Sequence, residues 1–148
     1  MYNYQELINA LNSSEEETFW FGAVTEDQIE KLESLLSVKI PREFSDFLLS
    51  CGGGGVIESE ISGIEDNDAS ISHGGTVYFN TSYARNEFGL PSYYIVIYLK
   101  DDEVCWCIDC SQELYGQIIS YDIFKRKPSN RIAMNFYDFF NEYVELRT

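Results

Sequence analysis

Four glycines in a row, Gly52 to Gly55, close the stretch that most constrains this chain, which runs from Thr25 to Val56. Thr25 with Gln28 three residues later has the form of a capping box and predicts a helix start. Ile29, Leu32, Leu35 and Leu36 then recur at helical spacing and define an apolar face. Pro41 blocks that helix from continuing and suits the first turn of a second one, where its missing N–H costs nothing. Glu43 and Asp46 lie near the positive N-terminal end of the second helix, and Phe44, Phe47 and Leu48 form its apolar side. The glycines end it, because glycine tolerates the left-handed conformation of a helix C-cap. Two short helices at an angle, closed by a glycine loop, form the expected nucleus of the fold.

The flanking segments supply the rest. Tyr4, Leu7, Ile8 and Leu11 predict a short N-terminal helix, broken by Asn12-Ser-Ser and followed by the acidic run Glu15 to Glu17. In Phe19-Trp20-Phe21, three adjacent aromatics cannot all face one side, so at least one stays partly exposed or covers a core edge. Val56 to Ile64 reads as a strand with a polar outer face, and Thr76 to Phe79 as a short strand. Ser82 to Phe88 reads as a brief helix ended by Gly89. Tyr93 to Leu99, Glu103 to Asp109 and Gln117 to Asp122 read as strands, the first two joined by a tight turn at Lys100-Asp-Asp. Lys125 to Arg131 reads as a basic loop. Asn135 caps a last helix that carries Phe136, Phe140, Tyr143 and Val144 at helical spacing. The fold class expected from this order is α+β: one domain with an antiparallel or mixed sheet of about four to six strands packed with helices.

The formal charge is −15, and it is uneven. Residues 1–70 hold 15 acidic and 3 basic side chains, a net −12; residues 71–148 hold 10 and 7, a net −3. Such a balance serves solubility, and it equally suits a surface complementary to a basic partner. Direct binding to nucleic acid or to an anionic membrane is disfavoured. The longest apolar stretch, Tyr93 to Leu99, is too short to span a bilayer, and the N-terminus lacks the basic start and apolar run of a signal peptide. A cytoplasmic protein is expected.

Candidates for chemistry are few. Cys105, Cys107 and Cys110, with Cys51 elsewhere, do not have the paired Cys-x-x-Cys spacing of a zinc site, and free thiols are expected. The four glycines lead into Val56-Ile57 rather than the lysine and hydroxyl residue of a phosphate-binding loop. His73 stands beside glycines with no assignable nucleophile or orienting group. No catalytic, cofactor-binding or metal-binding residue is assigned. What remains is an acidic segment: Glu58, Glu60, Glu65, Asp66 and Asp68 are not interrupted by any lysine or arginine. An edge strand kept from aggregating by its charges would show the same pattern.

Leu32-Glu33, the later Pro41, the aromatics Phe44 and Phe47, and the glycine cluster together resemble the signature of the SUKH superfamily. That superfamily includes fungal cell-wall-synthesis regulators of the Smi/Knr type and many bacterial immunity proteins. Ile61-Ser-Gly-Ile64, Arg85 and Leu90-Pro91 are similar to further positions of the pattern, as is the meander around Ile108-Asp109. The motifs identify a fold rather than an activity, and with no enzyme signature among the candidate residues neither an enzyme nor a cofactor is expected. The resemblance implies an immunity protein that binds and neutralises a cognate toxin protein, expected to be a basic nuclease domain. The alternative it implies is a regulatory scaffold like the fungal members; their long disordered flanks are not seen in this sequence, which favours the immunity branch. The motif names no binding residues. Local charge density points to Glu58, Glu60, Asp66 and Asp68 as partner-binding groups, with Trp20 as an aromatic contact.

Overall fold

A four-stranded antiparallel sheet, covered on both faces, organises the molecule, whose computed structural model describes residues 1–148. The sheet runs in the order β3 (Tyr94–Lys100), β4 (Val104–Asp109), β5 (Ile118–Asp122) and β6 (Lys127–Ala133), so each strand pairs with its sequence neighbour. Side chains alternate between faces with period two. Ile95, Ile97, Ile108 and Ile118 enter the main core on one face. Tyr94, Val96, Cys105, Cys107, Ile119 and Tyr121 form a smaller cluster on the other, covered by Ala84 and Leu90.

The helices are α1 (Gln5–Asn12), α2 (Glu26–Leu36), α3 (Arg42–Cys51), α4 (Val77–Phe88) and α5 (Phe136–Glu145). A second sheet of two short antiparallel strands, β1 (Thr18–Trp20) and β2 (Gly54–Val56), completes the α+β fold. Tyr4, Phe44, Phe47, Phe136 and Phe140 are each at most 1% exposed. Their rings meet across α1, α3 and α5: the Phe47 centroid lies 4.7 Å from that of Phe136 and 4.9 Å from that of Phe140. Aromatic pairs at such distances add to what area burial alone supplies. At its start, α5 is capped as expected, with the Asn135 side chain accepting from the Asp138 amide at 2.9 Å.

Several expectations need correction. α2 begins after Thr25, but no capping box forms. The Thr25 hydroxyl is bonded to the Asp27 carboxylate, and Gln28 Oε1 accepts from the Ala69 amide at 2.8 Å. Ile29, Leu32 and Leu36 are buried, whereas Leu35 is 38% exposed because the apolar face is narrower than the sequence spacing suggested. Val56 to Ile64 is not one strand. Glu58 has φ +75° in a turn, and the chain folds back so that Ile61 bridges antiparallel to Gly54. Thr76 to Phe79 is not a strand either. The Thr76 hydroxyl accepts from the Phe79 amide at 3.1 Å and starts α4, overriding the β preference of Val77, Tyr78 and Phe79. Finally, the basic segment is a turn followed by β6, an edge strand whose residues Lys127 to Arg131 are exposed. Lys127, Pro128 and Arg131 suit an edge that does not recruit another strand.

Candidate functional site

The glycine loop brings three backbone segments into direct contact. A Cβ placed on Gly52 would lie 1.9 Å from the Gly22 carbonyl oxygen, and one on Gly63 would lie 1.8 Å from that of Gly52. Only glycine permits this approach. Hydrogen bonds then fasten the crossing: Phe21 N donates to Gly53 O at 3.0 Å, and Gly22 N to Cys51 O at 2.8 Å. Ile64 N donates to Gly52 O at 2.8 Å, and Gly54 and Ile61 exchange two bonds of 2.9 Å.

This crossing sorts the three adjacent aromatics. Trp20 turns toward the core edge, and its Nε1 donates to Asn12 Oδ1 at 2.8 Å. Phe19 and Phe21 stand together, edge to face, with centroids 5.6 Å apart and ring planes at 77°. Phe19 is 51% exposed. Phe21 lies against the backbone of Gly53 and Gly75. Both rings line an open cleft of about 390 Å³ with Glu60, Ser62, Asn80 and Leu99. Asn80 is buried and donates from Nδ2 to Ser62 Oγ at 2.9 Å, while the Ser62 amide donates to Ile97 O at 2.8 Å. The cleft floor is thereby tied to both α4 and β3.

The four acids singled out from the sequence fall into two places. Glu58 is exposed at the tip of the reversal, where its carbonyl accepts from Lys100 Nζ. Glu60 follows and lines the cleft. Asp66 and Asp68 sit on a loop held beside the start of α2, because Asn67 Oδ1 accepts from the Thr25 amide at 3.0 Å. Asp68 pairs with Lys31 at 3.2 Å and accepts from the Ser70 hydroxyl at 2.7 Å. The Ser70 hydroxyl and amide, aided by Lys31, hold its carboxyl down at about 2. Neighbouring Glu65 meets His73 Nε2 at 2.8 Å. Glu58, Glu60 and Asp66 have no basic group within ion-pair distance.

The cysteines are dispersed. Cys105 and Cys107 face the smaller cluster with sulfurs 3.7 Å apart, Cys51 lies in α3, and Cys110 is half-buried after β4. No three His, Cys, Asp or Glu side chains converge as metal ligands. Burial raises the Cys107 thiol far above its ordinary range and lifts those of Cys51 and Cys110 to about 12.

A SUKH family model described as SMI1-KNR4 cell-wall matches residues 4–145. The chain belongs to the SUKH superfamily. The crystal structure of a protein from Pseudomonas syringae pv. tomato shares its fold, with a TM-score of 0.71 and 19% sequence identity. That likeness covers 95% of this chain and 98% of the other. No curated protein matches the chain in sequence. No helix of this SUKH domain is long and apolar enough to cross a membrane.

The motif residues of the SUKH domain hold its frame. Leu32, Phe44 and Phe47 are buried, and Glu33 Oε2 accepts from the Ile40 amide at 2.8 Å, fixing the link between α2 and α3. Arg85 donates to the Leu36 and Ser92 carbonyls at 3.0 and 2.7 Å, tying the end of α2 to α4 and the approach to β3. The motif is therefore legible in sequence, and the cleft is not. Phe19, Phe21 and Asn80 went unassigned there. Period-two alternation through Phe19-Trp20-Phe21 was the available signal, since it separates Trp20 from the two phenylalanines.

Proposed function

We propose that this SUKH domain is an immunity protein that binds a cognate toxin domain, a basic nuclease, and blocks it by stoichiometric association. The observation that carries this reading is the set Glu58, Glu60 and Asp66, acidic groups with no lysine, arginine or histidine of the chain within ion-pair distance. A nuclease must attract phosphate, so an acidic inhibitor competes for the same basic groups. Family membership and the formal charge of −15 support the same reading. Inhibition by covering a surface requires no chemistry from the inhibitor, and no catalytic role is assigned to any residue. The regulatory-scaffold alternative draws its support from the cell-wall wording of the matching family.

The test is binding to the nuclease-like C-terminal domain of a toxin encoded beside this protein. Association should slow markedly with added salt while dissociation changes less. Reversing Glu58, Glu60, Asp66 and Asp68 to lysine should weaken binding far more than reversing Glu15, Glu16 and Glu17. Full binding and full protection of cells by the four-residue variant would refute the assignment of this surface. Rescue of a cell-wall defect without any toxin binding would favour the scaffold.

A further inference from the structure

We propose that the cleft between Phe19, Phe21 and Glu60 is a socket for a single arginine side chain of the partner protein, with lysine a weaker occupant. The inference rests on the neutralisation reading for its partner and names the contact that partner would make. Three features of the cleft select this chemistry. The rings of Phe19 and Phe21 are fixed edge to face, and Phe19 is 51% exposed, which leaves aromatic surface open to a planar cation. Glu60 lines the same space, and its carboxylate has no basic group within ion-pair distance. Ser62 and the buried Asn80 add polar groups at the floor, and Leu99 offers an apolar wall for the aliphatic stem.

The surroundings exclude the obvious competitors. Lys100 is the nearest basic residue along β3, and its ammonium is engaged by the Glu58 carbonyl rather than by Glu60. Glu60 repels an anion. A neutral apolar ligand would cover the Glu60 carboxylate without giving it a partner. Arginine is preferred over lysine because its flat guanidinium can stack on a ring and present parallel N–H groups to a carboxylate at once.

The experiment is a titration of the isotopically labelled protein, followed by amide NMR, with the capped peptide acetyl-Gly-Arg-Gly-amide. The neutral isostere acetyl-Gly-citrulline-Gly-amide serves as the matched probe. Saturable shifts at Phe21, Glu60, Gly75 and the Asn80 side-chain amide are expected with the arginine peptide. The citrulline peptide and the Glu60→Gln variant should each bind about tenfold more weakly, the loss of one charge-assisted contact. Phe19→Leu, which keeps an apolar side chain and removes the ring face, should weaken binding about two- to fivefold. Glu16→Gln, on the exposed acidic run outside the cleft, should leave the affinity unchanged. Equal titration by the two peptides, or equal losses from Glu60→Gln and Glu16→Gln, would overturn the socket.

The cognate toxin separates this proposal from the reading beneath it. Unchanged toxin binding by the combined Glu60→Gln, Phe19→Leu variant would sink the socket and leave neutralisation standing. Arginine-peptide binding in the cleft, with no basic toxin bound, would uphold the socket and sink neutralisation.

Discussion

Replacing Gly63 by alanine isolates the backbone crossing from every other contribution to stability. Gly63 does not require a left-handed conformation, so a methyl group there carries no backbone strain of its own. In an open position such a change would stabilise by about 0.4–1 kcal/mol, through the unfolded state. Here the new Cβ would lie 1.8 Å from Gly52 O and 2.7 Å from Gly53 Cα, both backbone atoms with no rotamer to turn away. Ordinary contact demands that the Gly52 carbonyl retreat. That carbonyl accepts from Ile64 N at 2.8 Å, and the same segment carries the bond from Gly63 N to Gly75 O at 3.1 Å. Overpacking costs about 1–3 kcal/mol, and a buried amide left unpaired about 1–3 more. The expected loss is therefore about 2–6 kcal/mol, a large part of the roughly 5–15 kcal/mol that a domain possesses. Gly74 is the control: it has no atom within 4 Å of a built Cβ and no left-handed φ. Urea unfolding followed by circular dichroism should show Gly74→Ala at or slightly above the parent and Gly63→Ala far below it, with similar m-values. A Gly63→Ala protein within half a kcal/mol of the parent, or equal losses in the two variants, would refute the close-crossing argument.

Other consequences are open to direct measurement. Phe47→Ala removes a fully buried ring that meets Tyr4, Phe44, Phe136 and Phe140, and should cost about 3–5 kcal/mol in a denaturant melt; a change under 1 kcal/mol would contradict the core assignment. The native protein should react slowly with a thiol reagent at pH 8, because burial holds the Cys51 and Cys110 thiols at about 12, and all four thiols should react once urea unfolds it. Elemental analysis should find no stoichiometric zinc, and a chelator should leave the melting temperature unchanged; one zinc per chain would overturn the free-thiol reading. Asp68 is depressed in the folded state, so its contribution to stability is present above its unfolded value near 4 and is lost as pH falls through about 2. A carbon-detected titration should place its midpoint near 2, and Ser70→Ala should move it upward; an unchanged midpoint in that variant would remove the Ser70 hydroxyl as the leading cause.

Helical periodicity was strong enough to read α1, α2, α3 and α5 from the chain, since an amphipathic helix writes its buried face into local spacing. Phe44, Phe47 and Leu48 follow from that spacing alone, as does the stop at Gly52. The strands β3, β4 and β5 were legible for the same reason, their apolar runs being bounded by polar turns. The superfamily motif was legible as well, because its residues hold the frame and recur at short separations. Thr76 shows where local reading stops: one hydroxyl cap outweighed three residues with strand preference. β6 shows a second limit, because a polar edge strand owes its conformation to pairing with β5 rather than to an apolar pattern. The candidate site lies further beyond sequence. Phe19 and Phe21, Glu60, and Asn80 come from three segments with no shared periodicity, and they meet because Gly22, Gly52 and Gly63 let three backbones touch. Composition fixed the sign of the surface charge, but only the tertiary structure decided which carboxylates keep a partner. Asp68 reaches Lys31 and Glu65 reaches His73 through loop docking, whereas Glu60 is carried by the glycine crossing into a cleft with two aromatic rings, where no cation of its own chain comes within ion-pair distance.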